Sequence, residues 1–277
     1  MKAVENTILR SIVVVLFFIH SVTMYAQYNG EKNIIGSFEK TVSEFENIAV
    51  DQNFNLYIFE GTSNTIIVEA DLKYLDKIYV EESDGTLNIG CMQKIVNSKV
   101  MNIFIATKNL KKITCAGKSE IKIYPNVSKN LICNLVNETS HVKLKLAEKN
   151  MQISVLGFGM LETDGIFNSL LIKTFNESKI KMDISANIFK CYMYENSYAY
   201  ISGLAKKLIV TTQNHAVINT YNMFAEKCEL NAADISEVYV NATEELYITG
   251  TNKSYVEYKG EPLIVLKSKK PFNVKNK

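Results

Sequence analysis

From about residue 110 the chain repeats itself every 18 to 21 residues. Apolar anchors stand at Ile121, Val142, Leu161, Ile180, Ala199, Ile218, Val238 and Val256. Two residues before each comes a small residue: Ser119, Ser140, Gly159, Ser178, Ser197, Ala216, Ser236 and Ser254. Four before comes a turn former or polar residue: Gly117, Glu138, Gly157, Asn176, Glu195, Asn214, Asp234 and Asn252. Eight before come Ile113, Asn134, Ile153, Ile172, Cys191, Val210, Leu230 and Ile248, of which only Asn134 is polar. A period near nineteen residues is too short for two helices, and no helical periodicity accompanies it.

Within each repeat apolar residues alternate with period two, and one polar corner breaks the alternation. Side chains on a strand point to opposite faces in turn. The −8, −6, 0 and +2 positions therefore face a core, and odd positions such as Lys122, Lys143, Glu162 and Lys181 face water. Asn and Asp tolerate turn dihedrals, which suits the −4 corner. The small −2 residue marks a bend too tight for a large side chain. These features predict an all-β fold: a single-chain parallel β-solenoid, β-helix-like, with rungs of ~19 residues stacked ~4.8 Å apart. An antiparallel sandwich is the alternative, but its hairpins need NG or DG turns. Those are scarce: Asn29-Gly30, Asp84-Gly85 and Asp164-Gly165 are isolated. Before residue 100 the strands are longer, with turn signals at 61–64 and 83–85, and read as antiparallel hairpins. The domain plan is a signal peptide at 1–26, an N-terminal antiparallel β cap at 27–100 and solenoid repeats at 101–277. Residues 27–277 form one structural domain on this reading. A cap covers the core and strand edges that an open coil would expose. At the far end, Pro262 and the lysine-rich LKSKKPFNVKNK would stop stacking by removing a backbone donor and adding charge.

The chain's 277 residues are 47% hydrophobic with a net charge of +2 and no basic run, which gives no footprint for nucleic acid. Arg10 is the only arginine, so bidentate recognition of phosphate or carboxylate is not provided for in the mature chain. The N-terminus reads as an export signal: Lys2 and Arg10 precede the apolar run SIVVVLFFI, and cleavage is expected after Ala26. An uncleaved anchor is the alternative, because Met24 stands at the −3 position. After cleavage no membrane span is expected. Five cysteines (Cys91, Cys115, Cys133, Cys191 and Cys228) form no CxxC pair, and they read as small buried hydrophobes.

The opening FENIAVDQNFNLYIFEG, then IIVEAD, LDKIYVEESDGTLNIG and the closing YVEYKGEP, resembles the putative auto-transporter adhesin, head GIN domain family. The matching residues are Phe45, Ile48 and Val50 at the start and Tyr258, Gly260 and Pro262 at the end, and the resemblance spans roughly 37–270. It implies a β-solenoid-like domain of the Gram-negative envelope, in the periplasm or at the outer cell surface. It carries over no catalytic residues. The corners here hold Asn and Glu where that family would place Gly and Ser.

Little in the sequence points to catalysis. His141 and His215 lie four rungs apart, too far to share a metal, and no cofactor is expected. Glycoside hydrolysis needs two carboxylates about 5–9.5 Å apart. Glu138, Glu195 and Asp234 share a corner column but are separated by two or more rungs. The sequons at Asn126, Asn137, Asn176, Asn241 and Asn252 are those an asparagine-rich chain generates by chance. The unusual surface feature is CYMYENSYAY, which turns Tyr192, Tyr194, Tyr198 and Tyr200 outward, with Tyr194 continuing a column from Leu156 and Phe175. Such a column is either a platform for an envelope glycan or surface protein, or a ladder that stabilises neighbouring strands. The expectation is an exported, non-enzymatic envelope protein that acts by surface contacts as an adhesin or scaffold. The alternative is a carbohydrate-binding or carbohydrate-processing β-helix protein.

Overall fold

This computed structural model describes residues 34–124, 127–128, 130–136, 141–146, 150–268 and 272–277. The signal at 1–26, the sequons Asn126 and Asn137, and the repeat positions Glu138 and Ser140 lie outside the described residues, as does the side chain of His141. Ile35–Lys277 forms one compact unit.

That unit is a parallel β-solenoid with two walls that meet at a tight corner. The first wall carries the strand that enters the corner and the second wall the strand that leaves it. β2 (Asn47–Asp51) and β3 (Asn55–Glu60) make one coil, turning at Gln52 with φ 84°. β8 (Lys112–Ala116) and β9 (Lys118–Ile123) stack on it in parallel. Next come β10 (Asn130–Leu135), β11 (His141–Leu146) and β12 (Asn150–Val155). From there single long strands serve both walls: β13 (Met160–Thr174), β14 (Lys179–Met193), β15 (Tyr198–Thr212), β16 (Val217–Ala232) and β17 (Glu237–Gly250). β18 (Tyr255–Lys259) and β20 (Asn273–Asn276) end the second wall, and β19 (Leu263–Lys267) ends the first.

The antiparallel cap is present but smaller than the sequence suggested. β1 (Ile35–Thr41) pairs antiparallel with β4 (Thr65–Asp71), β4 with β7 (Met101–Thr107), and β5 (Ile78–Ser83) with β6 (Thr86–Cys91). On their other edges β6 and β7 form another parallel coil against β2 and β3. The first coil in the chain therefore lies between the second and the third. Alternation of apolar residues is the same in a hairpin and in a coil, so the pattern of 45–107 cannot reveal which partner a strand chooses.

Register bears out most of the repeat. Val142, Leu161, Ile180, Ala199, Ile218, Val238 and Val256 lie directly above one another, all buried. Two positions are corrected. Ile121 pairs with Leu144 rather than Val142, a two-residue offset that keeps both inward. Cys133, not Asn134, stands above Ile113, and Asn134 faces outward. A one-residue slip moves a side chain to the other face, and the apolar cysteine takes the core position.

The corner column owes its composition to backbone conformation. Gly157, Asn176, Glu195, Asn214, Asp234 and Asn252 all have φ between 53° and 69°. That is the left-handed region, which glycine adopts freely and Asn or Asp more readily than other residues. From Asn214 onward the following residue is also left-handed: His215, Ile235 and Lys253. The turn is closed by the backbone N–H of the small −2 residue, as from Ser254 to the Thr251 carbonyl at 3.1 Å. A second corner is marked by an asparagine ladder, in which the side-chain amides of Asn150, Asn168 and Asn187 each donate to the preceding member, beginning at Asn130, over 3.0–3.2 Å.

Candidate functional site

The six residues singled out in the sequence divide between two walls. Phe175 and Tyr194 stack face to face, with ring centroids 5.2 Å apart and planes 13° from parallel. Leu156 precedes them in the same column, each of the three donating its backbone N–H to the coil below. Tyr192 shares the first wall but another column, between Lys173 and Thr211. Tyr198 and Tyr200 stand past the corner, in two columns of the second wall. The six therefore do not share one column. The Phe175–Tyr194 stack joins neighbouring coils, as cross-strand aromatic pairs do. Beside it, a shallow recess of about 480 Å³ follows the corner, lined by Gly157, Phe158, Asn176, Glu195, Asn214 and His215.

The second wall carries a groove of about 480 Å³ that runs across several coils. Its lining includes Glu162, Asp164, Lys181, Asp183, Tyr200 and Ser202. Asp164 and Asp183 are direct register partners, so their carboxylates belong to adjacent coils ~4.8 Å apart. Lys143 approaches Glu162 at 3.6 Å, and the Asn222 amide donates to the Tyr200 hydroxyl at one edge of the groove. Both aspartates are exposed to water.

Along the groove runs a ridge that the sequence reading missed. Ile166, Ser185, Leu204 and Phe224 are consecutive register partners, and Ile166, Leu204 and Phe224 are 74%, 56% and 58% exposed. These three outward apolar side chains lie in one line across neighbouring coils. The available signal was parity: Ile166 and Leu204 lie an odd five residues after the anchors Leu161 and Ala199.

Farther along the same wall a bulge changes the surface. Register between β16 and β17 jumps from Thr220 to Phe224, and Tyr221 is left without a register partner on either side while Asn222 stays opposite Ser202. Tyr221 and Tyr255 donate their hydroxyls to the two oxygens of Glu257, and Tyr239 donates to Glu237 at 2.7 Å. Lys259 and Lys277 place ammonium groups 4.3 and 4.6 Å from the Tyr221 ring centroid, and Lys275 lies 3.9 Å from Glu257. Burial, then the bond to Glu257, pushes the Tyr221 hydroxyl well up. The bond to Glu237, then burial, pushes Tyr239 up to about 12. The two tyrosine hydroxyls hold Glu257 below the ordinary carboxylate range.

Among the described residues no three His, Cys, Asp or Glu side chains are placed to share a metal ion. Cys115, Cys133, Cys191 and Cys228 are free and buried, and burial pushes Cys191 and Cys228 up to about 12. Among the described residues no helix is long and apolar enough to cross a membrane.

The sequence profile of the putative auto-transporter adhesin, head GIN domain, matches residues 44–181 and again 166–262. The chain belongs to this family. Solved structures share the fold of this GIN-domain protein. One, described as a putative lipid binding protein from Parabacteroides distasonis, is 19% identical, with 88% of this chain and 98% of that one covered at a TM-score of 0.57. A putative adhesin from Parabacteroides merdae is 15% identical, with coverage of 88% and 96% and a TM-score of 0.57. Another putative adhesin, from Parabacteroides distasonis, is 17% identical, with coverage of 88% and 98% and a TM-score of 0.56. No curated protein matches the chain.

Proposed function

We propose that this GIN-domain chain is an exported protein of the cell envelope, periplasmic or at the outer surface, that acts by surface contact as an adhesin or scaffold rather than by catalysis. The ridge of Ile166, Leu204 and Phe224 carries the reading. Three apolar side chains more than half exposed in one line cost solvation energy that a contacting surface recovers. Family membership supports an adhesin-like role. The ridge suits a polypeptide partner, and the Phe175–Tyr194 column adds a second contact strip on the other wall. In the test, purified protein is immobilised and exposed to envelope fractions. The triple variant Ile166→Ser, Leu204→Ser, Phe224→Ser retains the β-sheet circular dichroism but loses at least about tenfold in captured material. Phe175→Ser with Tyr194→Ser gives a smaller loss. Undiminished capture by both variants would sink the proposal.

The groove supports a second reading, carbohydrate binding, because it sets Asp164, Asp183 and Tyr200 together. Binding is favoured over hydrolysis, since both aspartates are exposed on an open wall that does not enclose a substrate. Glycan binding abolished by Asp183→Asn, with no release of reducing sugar, is the result this reading expects.

A further inference from the structure

The two ends of the solenoid are finished differently. At the cap end, the first wall stops at β5, which pairs antiparallel with β6 and turns Ile78 and Val80 into the core. Its remaining side chains include Glu81, facing outward, and Glu82 at the rim. At the opposite end the first wall stops at β19, which pairs with β17 on one side. Among the described residues no strand pairs with its other edge. Ile264 and Leu266 stand directly above Leu246 and Ile248, which are fully buried, yet they are 36% and 55% exposed. The identical inward orientation with a different exposure means that the core continues to this edge and lacks one layer of cover. The same end of the molecule is basic among the described residues: exposed Lys267 closes β19, and exposed Lys275 and Lys277 lie on and just after β20.

We infer that the outer edge of β19 accepts an added strand from another polypeptide, an extended segment alternating apolar and acidic residues. An unpaired edge supplies main-chain hydrogen bonds, and alternate side chains supply specificity. Inward apolar groups of the incoming strand cover Ile264 and Leu266, and an outward carboxylate meets Lys267. The molecule already uses this chemistry on itself, since β5 finishes the same wall with the sequence IYVEES. A second copy of the chain is disfavoured as the occupant, because it would set the lysine-rich end against its own like charges.

The probe is a synthetic peptide with the sequence of residues 77–83, KIYVEES, compared with a version carrying lysine in place of Glu81 and Glu82. Amide exchange of Leu263–Lys267 is followed by NMR on the whole protein. The acidic peptide is expected to slow exchange along β19 and to bind about tenfold more tightly than the reversed one at low salt, with the ratio shrinking as salt rises. Leu266→Asp is expected to abolish the effect, with its fold checked by circular dichroism. Lys267→Glu, at an exposed site, should weaken binding even if the first variant loosens the last coil. Unchanged exchange in β19, or equal binding of the two peptides, overturns the inference. So does a dimer in sedimentation that Leu266→Asp dissociates, which would make the occupant a second copy.

Discussion

The small column at the tight corner shows how one polar atom decides whether a residue stabilises the coil. The Thr174 hydroxyl donates to Ser197 Oγ at 2.8 Å, and Thr212 and Ser236 share a bond of 2.9 Å. In each pair the threonine is the −6 residue of the coil before. Where that position holds Val155 or Ala232, the serine above it, Ser178 or Ser254, is buried with no hydrogen-bond partner. Where it holds Met193, the small residue is Ala216. A buried hydroxyl without a partner costs about 1–3 kcal/mol, whereas a satisfied pair contributes about 1 kcal/mol. Ser178→Ala is therefore expected to leave urea stability unchanged or raise it. Ser236→Ala, which strands Thr212, is expected to lower it by ~1–2 kcal/mol. Equal effects from the two substitutions would contradict this account. Two residues before Ser178, Asn176 of the sequon is the left-handed corner residue at φ 61°.

Among the elements, β16 is the one whose irregularity has long reach. Its bulge lets Tyr221 span two coils and bond Glu257, while β20 brings Lys275 to the same carboxylate and Lys277 follows onto the Tyr221 ring. The bulge thus fastens the last coil to the body. Glu257 is held ionised by Tyr221 and Tyr255, so its folded-state pKa lies below the ordinary 4.5. A depressed carboxylate pKa stabilises the fold above the unfolded value, and that contribution disappears as pH falls through the folded value. The wild-type urea midpoint is expected to fall more steeply below about pH 4.5 than that of Glu257→Gln. Parallel acid profiles for the two proteins would remove Glu257 from the explanation. Tyr221→Phe should reproduce part of the neutral-pH loss by releasing the same strand.

For the molecule as a whole, each coil packs on its neighbours, the Tyr221–Glu257 bridge apart, so stability is close to a sum of coil and interface terms. A core side chain in the middle contributes to two interfaces, and one at the open end to a single interface. Phe189, fully buried in β14, is expected to cost ~3–5 kcal/mol on replacement by Ala. Leu266→Ala, at a half-exposed end position, is expected to cost well under half of that. Denaturant unfolding of the two variants measures the contrast, and comparable losses would show that the last coil is covered in solution. The same layering explains why the lateral surface is long, regular and suited to extended contacts.

The sequence by itself determined the coil. Period-two alternation, a corner residue able to adopt positive φ and a small residue beside it are local requirements, and each leaves a residue type at a fixed spacing. Family membership was legible for the same reason, through Phe45, Ile48, Val50 and the closing Tyr258, Gly260 and Pro262. Tertiary structure decided the partners. The coil of β2 and β3 sits between β6/β7 and β8/β9, an order that alternation cannot encode because every inward strand edge is chemically alike. It also decided the surface: Phe175 and Tyr194 stack on each other, while Ile166, Leu204 and Phe224, far apart in the chain, become one ridge when the register brings them into line.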